Sequence, residues 1–170
     1  MPKTAATPTH PPTAVPTPEA NAALVLRQFR VVFNAVKAHF QQVEKQVGIG
    51  GAQVWALHCV HSQPGLSMNE LAAVMDIHQS TASNLVKQLI QRQLLRAERS
   101  DSDRRSVKLY SEPSALPLLE VVPGPFQGVL PSALDRLPPG TLAQLHQNLG
   151  ELIDLLETDQ DAANIPLAQL

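Results

Sequence analysis

The stretch that most constrains the fold runs from residue 78 to residue 110, where a two-faced helix leads directly into a basic hairpin. Apolar side chains recur along one side of the helix at about 3.6 residues per turn, and polar side chains occupy the other. Short amide, hydroxyl and ammonium groups can hydrogen-bond base edges and phosphates, and a major groove admits one α-helix. The pattern predicts a DNA-reading helix, with an ordinary solvated helix face as the alternative. The candidate DNA contacts are Gln79, Ser80, Thr81, Ser83, Asn84 and Lys87.

Two short strands are predicted after this helix, at residues 94–97 and 107–110, with a loop between them. The loop carries arginines beside aspartates, so the acidic groups can orient the guanidinium groups while at least one arginine stays available. An available arginine on a thin hairpin can enter a minor groove. The alternative is a hairpin with surface ion pairs, each worth less than about 1 kcal/mol. The candidate DNA contacts of this wing are Arg99, Asp103, Arg104 and Arg105.

A shorter helix is predicted upstream, because Ser67 and Glu70 fit a capping box. Asp76 and Ile77 then make a tight connection to the reading helix, as a helix-turn-helix requires. The order of helix, turn, reading helix and hairpin predicts a winged helix-turn-helix. The fold class is therefore mainly α with a small β-hairpin wing (α+β), flanked by N-terminal and C-terminal helices.

Several short motifs in this region carry a family resemblance. They are Gln53-Val54-Trp55-Ala56-Leu57, Leu71-Ala72, Ser80-Thr81-Ala82-Ser83 with Leu85-Val86, and the Asp-x-Arg signature at Asp103 and Arg105. The segment from residue 49 to residue 110 resembles the winged helix-turn-helix of the MarR family of bacterial transcriptional regulators. The resemblance implies that Arg105 inserts into the minor groove and that the helix of residues 79–91 reads the major groove.

The chain departs from the usual family pattern at several positions. His78 stands where the reading helix normally has a serine-type cap, and Asn84 stands where an arginine is frequent. Gln93 occupies the place of a helix-ending glycine, so either Gln93 adopts a left-handed conformation or the helix ends by another route. Residues 111–114 replace the familiar threonine-x-x-glycine sequence before the next helix.

Charge is distributed unevenly along a chain whose formal net charge is only −2. Residues 78–110 hold seven Lys or Arg against three acidic residues, net +4, whereas residues 111–170 hold one Arg against eight acidic residues, net −7. A local basic region suits a nucleic-acid partner. The single cysteine excludes an internal disulfide framework. The sequence contains neither the apolar run of a signal peptide nor an 18-residue apolar stretch, so a cytoplasmic protein without a membrane partner is predicted.

Five segments are predicted along the chain. Residues 1–18 form a disordered Pro/Thr-rich tail, and residues 19–48 form an N-terminal dimerisation helix. Residues 49–112 form the winged helix-turn-helix DNA-binding region. Residues 113–160 form C-terminal dimerisation helices, and residues 161–170 form a second tail.

Apolar side chains recur at intervals of three and four near both ends of the chain, which predicts two seams for helix partners. Between them, Pro123-Gly124-Pro125 interrupts a helical stripe, so a kink or a break is expected there. Two terminal seams around a small winged domain bury too little in one chain, so a twofold homodimer is predicted, with a closed monomeric core as the alternative. The resemblance also implies a dimer with interlaced terminal helices. The seam residues are Leu26, Phe29, Phe33, Val36, Phe40, Val43 and Val47, and Leu142, Leu145, Leu149, Leu152 and Leu156.

The sequence gives little support to chemistry beyond DNA contact. A zinc or redox site could be imagined at His58, Cys59 and His61 with His39, but these residues do not share one face. No Cys-x-x-Cys or His-Glu-x-x-His motif is present, and no nucleophile with a matching base is evident. Cys59 is interpreted as a small buried hydrophobe. No metal, no cofactor and no enzymatic activity are predicted.

The sequence therefore predicts a homodimeric regulator, most simply a repressor, that binds an inverted-repeat operator in double-stranded DNA. The family resemblance implies release by a small, often aromatic effector in the cleft beside the dimerisation helices, which would place His39, Trp55 and His58 near a candidate pocket. Two alternatives remain open. One is a winged-helix protein-interaction module without DNA binding, and the other is a redox-responsive or metal-responsive regulator that uses Cys59 or His58 with His61.

Overall fold

The computed structural model describes residues 21–99, 107–122, 124–156 and 163–169. Helices dominate these residues, and three short strands complete the described fold. The predicted tail of residues 1–18 lies outside the described residues. The elements are α1 (Ala22–Val47), α2 (Gly51–Ser62), β1 (Leu66–Ser67), α3 (Met68–Val74), α4 (Gln79–Gln91), β2 (Leu95–Arg99), β3 (Val107–Ser111), α5 (Leu116–Val121), α6 (Val129–Leu134) and α7 (Pro139–Leu155).

The strands form one antiparallel sheet in the order β1-β3-β2. Leu109 of β3 is central to it, because its Cα pairs with Leu66 on one side and with Ala97 on the other. The two predicted wing strands are present within two residues of their expected bounds. The prediction of a mainly α fold with a small β-hairpin wing is confirmed. The tip of the hairpin, residues 100–106, lies outside the described residues.

A single core joins α2, α3, α4 and the sheet. Leu57, Leu71, Leu89 and Leu109 are fully buried in it, one from each of these four elements. Burying such a side chain contributes roughly 1.5–3 kcal/mol relative to leaving it in water. The reading helix is thereby fixed against the rest of the winged domain along its whole apolar side.

The helix-turn-helix begins at the predicted capping box. The Glu70 backbone N–H donates to Ser67 Oγ at 3.3 Å, and the Ser67 backbone N–H donates to Glu70 Oε2 at 2.7 Å. These two bonds satisfy backbone donors that the first turn of α3 leaves unpaired. Hydrogen bonding to the carboxylate lowers the pKa of Glu70, with the Ser67 backbone as the largest cause. The connection to α4 turns at Asp76, which has a φ of +51°.

The reading helix α4 ends at a left-handed Gln93, whose φ is +58°. The Leu94 backbone N–H donates to the Leu89 carbonyl at 2.9 Å, and the Gln93 backbone N–H donates to the Ile90 carbonyl at 2.9 Å. This pair of bonds is the Schellman ending, in which glycine usually occupies the left-handed position. Of the two helix endings that the sequence left open, the structure has the left-handed Gln93. Ser114 supports this turn, because its hydroxyl donates to the Gln93 carbonyl at 2.6 Å.

Phe40 fixes α1 against α2 and α6. A Cβ atom placed on Gly51, the first residue of α2, would lie 2.1 Å from Phe40 Cδ1. A Cβ atom on Gly128, just before α6, would lie 2.7 Å from Phe40 Cζ. The aromatic ring therefore fits between two positions that have no side chain. This contact joins the long N-terminal helix to the winged domain.

The predicted interruption around Pro123-Gly124-Pro125 is a break. α5 ends at Val121 and α6 begins at Val129. None of the described helices combines the length and the apolarity needed to cross a membrane.

Replacement of Gln93 by glycine should stabilise the protein. The left-handed conformation costs a residue with a side chain more than it costs glycine, so the free energy of unfolding should rise by about 0.5–1 kcal/mol. Urea denaturation measures the change. The matched control is Gln91→Gly, the same substitution at a helical position, which should lower stability by up to about 1 kcal/mol. A loss of stability in Gln93→Gly would contradict the role assigned to this position.

Replacement of Gly51 by alanine should destabilise the protein by about 1–3 kcal/mol, because the added methyl group overlaps the Phe40 ring. Thermal or urea unfolding at a fixed protein concentration measures the change in stability. Gly140→Ala is the control, since nothing lies within 4 Å of a Cβ at that position and alanine favours helix. Equal stabilities of the two variants would exclude the proposed close packing at Phe40.

Candidate nucleic-acid interface

The polar face of α4 is presented to solvent. The apolar residues Ala82, Leu85, Val86 and Leu89 are buried on the opposite side. Of the six predicted reading residues, Gln79, Ser80, Ser83, Asn84 and Lys87 are exposed and Thr81 is half-buried. Thr81 instead borders a groove beside the start of α2, which it shares with Asn84 and Gln88. Most of the predicted set therefore lies on one accessible surface.

Side-chain contacts at the α1–α2 turn hold α4 in place. Gln53 of α2 donates from its amide to the side-chain oxygen of Gln88 on α4. Arg92, just after α4, donates from Nη1 to the Gly48 carbonyl at 3.0 Å. Gln53 is itself oriented, because its Oε1 accepts the Gly50 backbone N–H at 3.1 Å. The reading helix is thus tied to α2 through both its apolar and its polar sides.

The base of the wing contains a paired arginine. Arg96 Nε donates to Glu98 Oε1 at 2.7 Å, and its guanidinium lies 5.0 Å from the centre of the Tyr110 ring. The hydrogen bond to Glu98 is the largest cause of the raised pKa of Arg96. Across the sheet, Lys108 Nζ lies 3.5 Å from Glu70 Oε2. Acidic side chains at the base of the hairpin therefore pair with nearby cations.

Of the four predicted wing contacts, Arg99 alone lies among the described residues. Arg99 is the last residue of β2 and is exposed, with its Cα paired to that of Val107. Asp103, Arg104 and Arg105 lie outside the described residues. The two strands nevertheless fix where the hairpin leaves the domain, beside the α3 residue Glu70, and α4 follows α3 after a short turn.

The candidate effector residues do not form one pocket. His58 stacks against Phe126, with ring centres 3.9 Å apart, and His39 contacts Phe40 edge-to-face at 5.1 Å. Trp55 borders a cavity of about 200 Å³ that neither histidine lines. Burial lowers the pKa of His58, and the charge of His61 lowers it further. Of the three candidate residues, Trp55 alone lines this cavity, and His58 lies one turn after it on α2.

Cys59 is buried, as the sequence predicts. Burial raises the pKa of its thiol to about 11, which leaves the reactive thiolate scarce at neutral pH. His61 Nδ1 is 3.1 Å from Ser111 Oγ, so this ring is engaged with the wing strand β3. No group of three or more potential metal ligands occurs among the described residues.

Sequence reasoning missed a contact that the C-terminal segment makes with the reading helix. Asn164 Nδ2 lies 3.0 Å from the Nε2 atom of His78, which immediately precedes α4. The two residues are 86 positions apart, and neither a motif nor a periodicity in the sequence connects them. Only the folded chain reveals this proximity.

Comparison with known proteins identifies the winged region. Residues 47–106 match the model of the MarR family. The structure is similar to MepR from S. aureus in a complex with DNA, at 21% identity and a TM-score of 0.55, over 82% of this chain and 100% of that chain. It is also similar to FabT from Streptococcus pneumoniae in a complex with DNA, at 14% identity and a TM-score of 0.53, over 81% of this chain and 98% of that chain.

A third similar structure is MarR, at 18% identity and a TM-score of 0.50, over 76% of this chain and 94% of that chain. No curated protein matches the chain. At these identities the solved structures support the fold, while the family match supports the assignment of residues 47–106. The resemblance read from the sequence is confirmed for residues 47–106, which match the MarR family model.

Proposed function

We propose that the protein is a transcriptional regulator that binds an inverted-repeat operator in double-stranded DNA as a homodimer, most simply as a repressor. The observation that carries this proposal is the exposed polar face of α4, held rigidly beside the base of a basic hairpin. Such a helix and wing can contact a major groove and the adjacent backbone or minor groove together. The DNA complexes of MepR and FabT, which have the same fold, support the proposal.

The proposed contacts have different roles. Ser83 and Asn84, near the centre of the exposed face, would read base edges, while Lys87 would contact phosphate. Arg105 would enter the minor groove, with Asp103 orienting it and with Arg99 and Arg104 beside it on the wing. Remaining backbone contacts would come from Gln79, Ser80 and Thr81 at the start of α4, where helix N–H groups favour phosphate.

The dimer proposal rests on apolar side chains that the single chain leaves in solvent. Val31 on α1 is 64% exposed, and Leu155 and Leu156 at the end of α7 are 81% and 62% exposed. Within the described chain, no residue of α7 is buried. Apolar faces this extensive mark an interaction surface, and a second copy with twofold symmetry would cover both terminal helices at once.

A small effector would act by binding the DNA-incompetent arrangement of the two reading helices more tightly than the competent one. We propose the region around Trp55 for this effector, with His39 and His58 at its margins. The cavity of about 200 Å³ is smaller than most ligand pockets, so binding would have to enlarge it.

The buried protonated thiol of Cys59 favours a ligand-responsive regulator over a redox-responsive one. We further propose that the protein has no enzymatic activity.

The protein should bind duplex DNA as a dimer, with half-sites about 10 base pairs apart, because twofold-related reading helices must enter successive major grooves on one face. Selection of binding sequences from random duplexes, with mass measurement of the complexes, tests this expectation. Affinity should also fall steeply with salt, with a log-log slope of about −0.9 for each phosphate neutralised. Binding by monomers to single half-sites, or an affinity independent of salt, would refute the proposal.

The wing and the helix should respond differently to mutation. Arg105→Ala should weaken binding to most sequences. It should also make the log-log salt slope shallower by about two for a dimer, because each of the two chains loses one cation near the phosphates. Asn84→Ala should instead cost about 1–3 kcal/mol at selected base pairs. Binding isotherms on selected and random duplexes separate the two effects.

Arg136→Ala, on the exposed and acidic C-terminal part, is the control for both variants and should leave both affinities unchanged. Identical changes on every duplex for Arg105→Ala and Asn84→Ala would exclude this division of roles. Full retention of binding by Arg105→Ala would contradict the proposed role of the wing, and absence of duplex binding by the unaltered protein would favour a protein-interaction module.

A further inference from the structure

The C-terminal segment, residues 163–169, is seated in a groove between α1, α2 and the turn that precedes α4. Pro166 is buried there, and Ala168 packs against the hydrophobic core of the winged domain. Leu167 lies against α1 beside Val36 and Phe40. The segment also closes the Trp55 cavity, to which Ala163, Ile165, Pro166 and Leu167 all contribute. The occupant of this groove is therefore part of the same chain.

The same segment flanks the reading helix. Asn164 is hydrogen-bonded to His78 at the start of α4, with 3.0 Å between Nδ2 and Nε2. Ala168 borders a groove of about 470 Å³ whose other wall is formed by Thr81, Asn84 and Gln88. The C-terminal segment thus occupies space beside the first turns of the helix, where approaching DNA would place its phosphates.

We propose that residues 163–169 are an intramolecular ligand of this groove and that their docking lowers the affinity of the protein for DNA. The inference rests on the proposed DNA-binding function. Docking restricts the start of α4 and adds bulk beside Asn84.

The few buried contacts of the C-terminal segment allow it to undock reversibly. The segment contributes one buried residue, Pro166, while Ile165 and Leu167 keep large exposed fractions of 49% and 38%. Its hydrogen bond to His78 is exposed to solvent. Few buried contacts and a solvated hydrogen bond characterise the parts of a protein that open most readily. If about one molecule in ten is undocked, the apparent affinity for DNA is about tenfold weaker than that of the undocked form.

The experiment compares two alanine-to-aspartate variants of the full chain. Ala168→Asp places a charge against the core and should undock the segment. Ala143→Asp adds the same charge at an exposed position of α7 that lies outside the leucine seam and lines none of these cavities. Docking is measured by the emission of Trp55, the only tryptophan, whose cavity the segment closes. DNA affinity is measured on random duplexes of about 30 base pairs, long enough for two half-sites. We expect Ala168→Asp to red-shift the emission and to tighten DNA binding up to about tenfold, while Ala143→Asp changes neither.

A deletion of residues 163–170 provides a second test that does not depend on the folding of Ala168→Asp. The deletion should also tighten DNA binding. A synthetic peptide with the sequence of residues 163–170, added to the truncated protein, should restore the Trp55 emission and the DNA affinity of the intact chain. A shift in emission without a change in affinity would overturn the inhibitory role, and unchanged emission in both altered chains would overturn docking itself. Absence of DNA binding in every chain, with the emission shift present, would refute the proposed function and, with it, the inhibition.

Discussion

The packing of α4 against α2 and α3 is the interaction on which the rest of the structure depends. Leu89 is fully buried among side chains that include Leu57 and Leu71, and this contact fixes the rotation of the reading helix about its own axis. Rotation by one residue, about 100°, would move polar side chains into the core at a cost of several kcal/mol. The exposed polar face therefore follows from the buried one. The hydrogen bond between Gln53 and Gln88 also opposes rotation of α4 about its own axis.

The parts of the fold predicted well from the sequence are those determined by local rules. The capping box at Ser67 and the amphipathic α4 both depend on residues within one or two turns of each other. The fit of Phe40 between Gly51 and Gly128 could not be predicted in this way, because it joins three distant parts of the chain. An isolated glycine in a sequence does not reveal which side chain approaches it.

In the candidate site, too, the sequence predicted features that depend on nearby residues better than contacts between distant residues. Helical periodicity predicted the exposed positions of α4. It did not show that Thr81 is half-buried beside α2 while Ser80 is exposed. The resemblance implied that His39, Trp55 and His58 lie near a candidate pocket, and it did not imply that His58 stacks on Phe126 with one face of its imidazole ring. Phe126 lies in the irregular segment after the helix break at Val121. Helical periodicity does not predict where a side chain in such a segment lies.

The route from α1 to the reading helix is short and rigid. Phe40 ties α1 to Gly51, the first residue of α2, and α2 in turn holds α4 through both the buried core and Gln88. A displacement of α1 must therefore be shared by α4, because close-packed interiors transmit displacement instead of absorbing it. In a dimer that uses α1 and α7, the distance between the two reading helices would consequently be set at the terminal helices. The C-terminal segment contacts α1 and the start of α4 together, so it adds a second connection between them.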